Sequence, residues 1–348
     1  MEQIMSHLTR PRRRQFPHVV AGSAVLPTLQ YIGNARSHPL RTIPKLLVTI
    51  VMATLTVGAG EAVAQKIAPP PDFSGVWGHP YWPSFEPPAS GPGPVTNRSR
   101  VRAGPLAGLS NGRELVGDYT NPILKPWASD VLKKRGEAEI GGALSPTPYN
   151  QCWPQGVPFI LFNFGMQMLQ QPDKIMIFYF SDQFRQVRMN QQHAAKPTPS
   201  WHGDSVGHYE GATLVIDTIG IKADRPFAMV DMYGTPHTEA LHVVERYRLV
   251  DYEEAKQALD RNAKENMRFG PGIQPFDYDP NYRGKHLQLE FTVDDEGTFT
   301  RPWSATVTYA RPRVAIPSGW SEFICAENPR EHPTDADAEI PHAVKPDF

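Results

Sequence analysis

The sequence predicts a mainly β protein, an antiparallel meander of strands that closes into a barrel. Three observations carry this expectation. From Lys174 onward, runs rich in β-branched and aromatic residues follow one another closely. Two pairs of runs flank tight-turn residues, Glu210-Gly211 and Asp295-Glu296-Gly297. Several runs alternate chemical type at every second residue, which on a strand separates an inner from an outer face. A long meander exposes two edges, and closure removes them. A β-sandwich is the competing arrangement.

In chain order, residues 1–64 read as an export region rather than as part of the fold. Within 10–35, Arg12-Arg13-Arg14-Gln15-Phe16 and the mildly apolar stretch from His18 to Pro27 have the make-up of a twin-arginine signal, with Pro17 as a departure. Within 41–64, Arg41 and Lys45 precede an uncharged apolar run from Leu46 to Gly60, and Ala62-Val63-Ala64 offers a small-x-small cleavage site before Gln65. That run is short of the about 20 apolar residues of a membrane helix. The expected location is the periplasm or the exterior, with no stable membrane span after signal removal.

Residues 65–150 are irregular, because Pro69-Pro70-Pro71, Pro87-Pro88 and Gly91-Pro92-Gly93-Pro94 do not fit helix interiors or central strands. Within them, 73–77 reads as a first short strand. Residues 126–135 read as a helix with proline at its start and cations at its end. Residues 151–328 form the expected barrel domain. Its strands are 174–180, 184–190, 205–209, 213–219, 241–249, 286–293 and 298–309, and a short run at 323–325 closes the sheet. Residues 253–266 read as a helix, and 329–348 as a disordered tail. Alternation sets Arg185, Val187 and Met189 against Phe184, Gln186 and Arg188, and sets Val243, Glu245 and Tyr247 against His242, Val244 and Arg246.

The formal net charge of -1 over 348 residues gives no electrostatic case for nucleic acid or an anionic membrane surface. Cys152 and Cys325 are the two cysteines and form no Cys-x-x-Cys pair, so neither a metal ribbon nor a haem attachment is expected. No phosphate-cradling glycine loop is visible. No cofactor and no metal are therefore expected. In an exported protein the two cysteines read as one disulfide, Cys152 to Cys325, with two buried thiols as the alternative.

Several stretches together resemble a large family of secreted bacterial proteins. They are Cys152-Trp153-Pro154-Gln155-Gly156-Val157-Pro158, Arg188, the run from Trp201 through Gly203-Asp204-Ser205-Val206-Gly207-His208-Tyr209-Glu210-Gly211 to Thr218, Val244-Glu245-Arg246, and Phe323-Ile324-Cys325-Ala326-Glu327-Asn328. The resemblance covers about 72–328. Tyr209 stands where a tryptophan is common and Ala212 where an aspartate is common. The hairpin is also similar to those of lipocalin-like lipid-binding barrels, which implies a lipocalin-like fold. The resemblance brings no activity with it.

Gly203-Asp204-Ser205-Val206-Gly207 satisfies Gly-x-Ser-x-Gly, but neither an apolar strand before it nor a helix after it supplies the nucleophile elbow. It reads as a glycine-bounded strand start, with Ser205 bonding the local backbone. His202 with Asp204, and His237 with Glu239, fall on one side of an extended chain and are the candidate acid–base pairs. Arg188 and Arg246 either anchor an anion inside a cavity or pair with Glu245 or Glu210 as structural bridges. Tyr179, Trp201 and Glu245 complete the expected ligand surface. Three functions follow. The first is binding of a small, partly apolar, anionic molecule with acid–base chemistry of the isomerase or lyase type. The others are a non-catalytic carrier and a structural envelope protein with a filled core.

Overall fold

Nine strands form a single sheet in the order of the chain: β1 Gly75–Gly78, β2 Gly165–Gln170, β3 Lys174–Tyr179, β4 Gln183–Met189, β5 Asp204–Glu210, β6 Thr213–Ile219, β7 His242–Val250, β8 His286–Asp294 and β9 Trp303–Tyr309. They come from a computed structural model that describes residues 69–79, 85–143, 145–180, 183–225, 228–265, 279 and 281–312, all within the unit Lys66–Phe348. The expected export region 1–64, the expected closing strand 323–325, Cys325 and the expected tail 329–348 lie outside the described residues. Two α-helices, α1 Pro126–Ile140 and α2 Tyr252–Glu265, accompany the sheet.

The sheet curls until its ends meet. Gly78, at the end of β1, bridges Ala310, just past β9, through two backbone hydrogen bonds of 2.8 Å. The result is a nearly closed barrel, as the meander predicts, and one sheet rather than the two of a sandwich. One join corrects the pure meander. β4 and β5 run parallel, pairing Arg188 with Val206 and Met189 with Gly207, while the other strand pairs are antiparallel. Parity explains it. Going once around a closed ring must restore the starting direction, so antiparallel joins come in even number, and nine strands leave an odd join. The chain from Asn190 to Gly203 makes the crossover that a parallel pair needs.

The strands form where the alternation places them. Ile175, Ile177 and Tyr179 of β3, Arg185, Val187 and Met189 of β4, and Val243, Glu245 and Tyr247 of β7 are buried. β2, Gly-Met-Gln-Met-Leu-Gln, carries no β-branched residue. Its pairing with β1 and β3 on either side makes it a strand, a tertiary override of weak propensity. α1 runs beyond Arg135 to Ile140, so the basic residues lie inside the helix and its last turn carries none. It continues through Gly136, where an added Cβ would come 2.8 Å from Val116.

The barrel interior is packed with side chains. A 3-10 turn, Phe159–Phe162, is buried throughout. The Leu161 carbonyl accepts from the Tyr309 hydroxyl at 3.4 Å, and Phe162 packs on Phe85 with ring centroids 3.8 Å apart. Phe85 in turn meets Phe291 of β8 edge-on at 4.8 Å. Outward positions carry Arg188, Glu210, Arg246, Arg248 and Glu290, the reverse of the apolar band on a membrane-spanning barrel. Among the described residues no helix is long and apolar enough to cross a membrane.

Gly203 and Gly211 provide a matched test of this geometry. Both have left-handed φ, +66° and +60°, but an added Cβ meets the Ile219 carbonyl at 2.6 Å at Gly203 and nothing within 4 Å at Gly211. Gly211→Ala is expected to cost about 1 kcal/mol from backbone strain alone, and Gly203→Ala at least about twice that. Urea denaturation measures both, and equal costs would contradict the close approach at Gly203.

Candidate functional site

Inside the barrel the alternation of β4 and β7 brings two opposite charges together. Arg185 Nη2 lies 2.7 Å from Glu245 Oε1, and both side chains are essentially inaccessible. Arg185 Nε donates to Ser205 Oγ at 2.9 Å, Nη2 also donates to Thr218 Oγ1, and Tyr247 donates to Glu245 Oε2 at 2.7 Å. Burial lowers the Arg185 pKa, but Glu245 outweighs it and the guanidinium stays charged. Burial pushes Tyr179 up to about 12 and raises Tyr247 well above its ordinary value, so both phenols stay neutral. Among the described residues, the Tyr179 hydroxyl and Arg185 Nη1 lack a hydrogen bond of good geometry, although the two side chains lie close enough for Arg185 to counter the rise in the Tyr179 pKa. An ion pair this deep stands only because each charge has its partner. Ser205, the serine of Gly-x-Ser-x-Gly, is consumed here as an acceptor for Arg185 and lies 3.2 Å from Thr218 Oγ1. It sits on β5 with no nucleophile elbow.

The expected acid–base pairs do not form. The positive φ of Gly203 breaks the extended run that would align His202 with Asp204. His202 Nε2 donates to Gln183 Oε1 at 3.3 Å, which also accepts from the Gln155 N–H at 2.8 Å. Burial, then the nearby Arg185 charge, lowers the His202 pKa to about 4, so the ring is neutral at pH 7. Asp204 turns the other way. Burial pushes its carboxyl up, but hydrogen bonds from Ala194, Arg188 and His193 outweigh that and hold it below the usual range. His237 is buried and donates from Nδ1 to the Thr238 carbonyl at 3.2 Å, while Glu239 is exposed in the turn beyond.

The two expected anion anchors also need correction. Arg188 and Arg246 lie on the outer face, because alternation gives the interior to Arg185 and Glu245. Arg188 binds Asp204 at 2.6 Å, and Arg246 binds Glu210 at 2.6 Å as the structural bridge that the sequence also allows. Of the expected ligand residues, the barrel interior therefore gathers Glu245 and Tyr179 alone. Trp201 is half-buried, under the Lys222 ammonium at 6.0 Å. Outside the barrel, His193 and His242 share Asp217 at 3.0 and 2.9 Å. Among the described residues no group of three or more histidines, cysteines and carboxylates is arranged to hold a metal.

A cleft that the sequence does not announce lies outside the barrel, where α2 faces β8 and β9. It encloses about 390 Å³ and is lined by Arg248, Glu254, Arg261, Gln288 and Glu290, with Pro88 and Ala89 as an apolar wall. Behind it stands Glu86, fully buried and held in place by backbone hydrogen bonds to Thr306 in both directions, 3.1 and 2.9 Å. Arg261 Nε donates to Glu86 Oε1 at 3.0 Å, while Oε2 is buried with no partner among the described residues. Burial raises the carboxyl pKa to about 7, against the pull of Arg261. Arg248 Nη2 donates to Glu254 at 2.9 Å and to Gln288 at 2.8 Å. A shifted carboxyl behind a cleft, with half-exposed arginines beside it, has the physical character of a binding site. Further clefts of about 430 and 310 Å³ carry Lys222 with Arg225, and Arg98 with Arg100 and Arg102.

No family model matches the chain, and no curated protein and no solved structure matches it.

The shift at Glu86 fixes a pH dependence. The folded pKa, about 7, lies above the ordinary 4.5, so the folded state holds the proton longer than the unfolded chain. Its contribution is complete below the unfolded value and is lost as pH rises through the folded one, on the order of 3 kcal/mol in all. Glu86→Gln, which cannot ionise, is expected to stabilise the protein at pH 8 and to leave it unchanged at pH 5. Denaturant midpoints at the two pH values measure this, and a gain of equal size at both would place Glu86 in an ordinary solvated setting.

Proposed function

We propose that the protein is an exported barrel that binds a small carboxylate anion without transforming it, in the cleft between α2 and β7 to β9. One observation carries the reading: Arg261 and Arg248 reach a cleft of about 390 Å³ from opposite elements, with a buried carboxyl behind one of them. The planar guanidinium fork matches a carboxylate in two hydrogen bonds. Glu254 and Glu290 balance the two arginines in formal charge, so the cleft suits a monoanion held by directed hydrogen bonds and disfavours a dianion. Pro88 and Ala89 offer contact to an apolar portion of the ligand. Binding is favoured over catalysis because His202 lies apart from Asp204 in its bonding, and His237 apart from Glu239.

The export half of the reading rests on the basic flank, apolar run and Ala62-Val63-Ala64 site of the sequence. In that compartment Cys152 joined to Cys325 is the expected state of the thiols. A structural envelope role is the second reading, and the side-chain-filled barrel favours it.

Acetate, lactate and benzoate, each added to the purified mature chain, separate the two readings. A ligand at about 100 times its Kd stabilises by about 2.7 kcal/mol, so at least one carboxylate is expected to raise the melting temperature by several degrees. Arg261→Gln and Arg248→Gln are expected to remove the response. A transition indifferent to all three acids in the wild-type chain leaves the structural role standing. Protein recovered from the periplasm is expected to begin at Gln65.

A further inference from the structure

We propose that carboxylate binding in this cleft is coupled to uptake of one proton by Glu86, because Glu86 and the ligand compete for Arg261. The inference rests on the cleft reading above and adds its regulation. Arg261 reaches Glu86 through one hydrogen bond from Nε, and its side chain is nearly half exposed, whereas Glu86 is sealed. The guanidinium is therefore the mobile partner, and a ligand carboxylate in the cleft draws it outward. Glu86 cannot follow, because its backbone is bonded to Thr306 on both sides.

Once Arg261 turns away, an ionised Glu86 would be a buried charge with no compensation, the costliest state available to it. The carboxyl escapes that cost by taking a proton from solvent. Oε2, buried and without a partner among the described residues, is the atom placed to carry it. The balance is simple: ligand carboxylate and Arg261 form an ion pair, and the displaced Glu86 carboxylate plus one proton becomes a neutral acid.

Among the described residues, the neighbouring charges do not offer Glu86 a substitute cation. Arg248 on β7 is held by Glu254 of α2 and Gln288 of β8. Glu290 on β8 and Glu254 on α2 line the same cleft and are acids, not cations. His79, buried after β1, bonds Asn262 of α2 at 3.2 Å. Thr306 on β9 contributes its backbone. The pKa of about 7 places the competition near neutrality, so acidification releases Arg261 for the ligand in advance.

Calorimetric titration of the mature protein with lactate, at pH 6 and pH 8 and in two buffers of different ionisation heat, tests the coupling. Lactate stays ionised across that range. Close to one proton is expected to enter per lactate bound at pH 8, and few at pH 6. Affinity is expected to be about tenfold tighter at pH 6, since the competent fraction of Glu86 changes by about that factor. Glu86→Gln is expected to bind at pH 8 as tightly as the wild type at pH 6, with no proton uptake. Wild-type binding of equal strength at both pH values, without proton uptake, overturns the coupling and leaves the cleft reading intact. A pH slope that survives in Glu86→Gln also overturns it, by placing the proton on another group such as His242. No binding at either pH removes the cleft reading and the coupling together.

Discussion

The barrel depends on the ion pair at its centre. Arg185 and Glu245 come from β4 and β7, and their hydrogen bonds reach Ser205 of β5 and Thr218 of β6. Those four strands span the parallel join, where the backbone ladder is short and pairs only Arg188 with Val206 and Met189 with Gly207. The guanidinium therefore adds a side-chain tie across a join that the main chain holds by a short ladder. Such a pair adds little net stability over an apolar pair of similar volume. Its effect is on register: slipping β4 by one residue would bury Phe184 and Arg188 and leave Glu245 without a cation. That specificity is useful at a join which parity imposes on any closed ring of nine strands with antiparallel ends.

Much of the barrel is legible in the sequence because its strands are marked either by one buried and one open face or by a tight turn between β-rich runs. β3, β4 and β7 follow their alternation, and the two faces of β4 and β7 separate as read. The β5–β6 hairpin buries consecutive residues on both faces and is marked by its turn instead. Where both marks are missing, the reading fails. β2 is Met-rich and buried at its start, and nothing in Gly-Met-Gln-Met-Leu-Gln distinguishes a strand from a loop. The parallel join is a property of the whole ring and leaves no local mark. Arg185 is the instructive case among the site residues. It shares its face with Val187 and Met189, and that apolar company marks it, rather than Arg188, as the inward cation.

The Gly-x-Ser-x-Gly pattern owes its residues to packing. Gly203 turns the chain beside the Ile219 carbonyl, Ser205 accepts from Arg185, and an added Cβ on Gly207 would meet Met189 and Val187 at 2.9 Å. Each position is fixed by a neighbour on another strand. The same turn at Gly203 separates His202 from Asp204, so one backbone feature explains the motif and dissolves the acid–base pair beside it.

The proposed site lies outside a barrel whose interior is packed with side chains. Most of the interior polar groups near Arg185 bond one another, and the proposed site uses the surface that α2 makes with the strands beneath it. Glu86 illustrates why sequence reasoning passes over that surface. It stands in a proline-rich stretch with no periodicity, and its partner Arg261 is 175 residues away. Neither residue is unusual alone. The character of the site comes from burying a carboxyl behind an arginine that stays half in solvent. In the proposed coupling, that asymmetry lets the cation move while the acid stays in place, so that an exposed binding event would reach a buried proton.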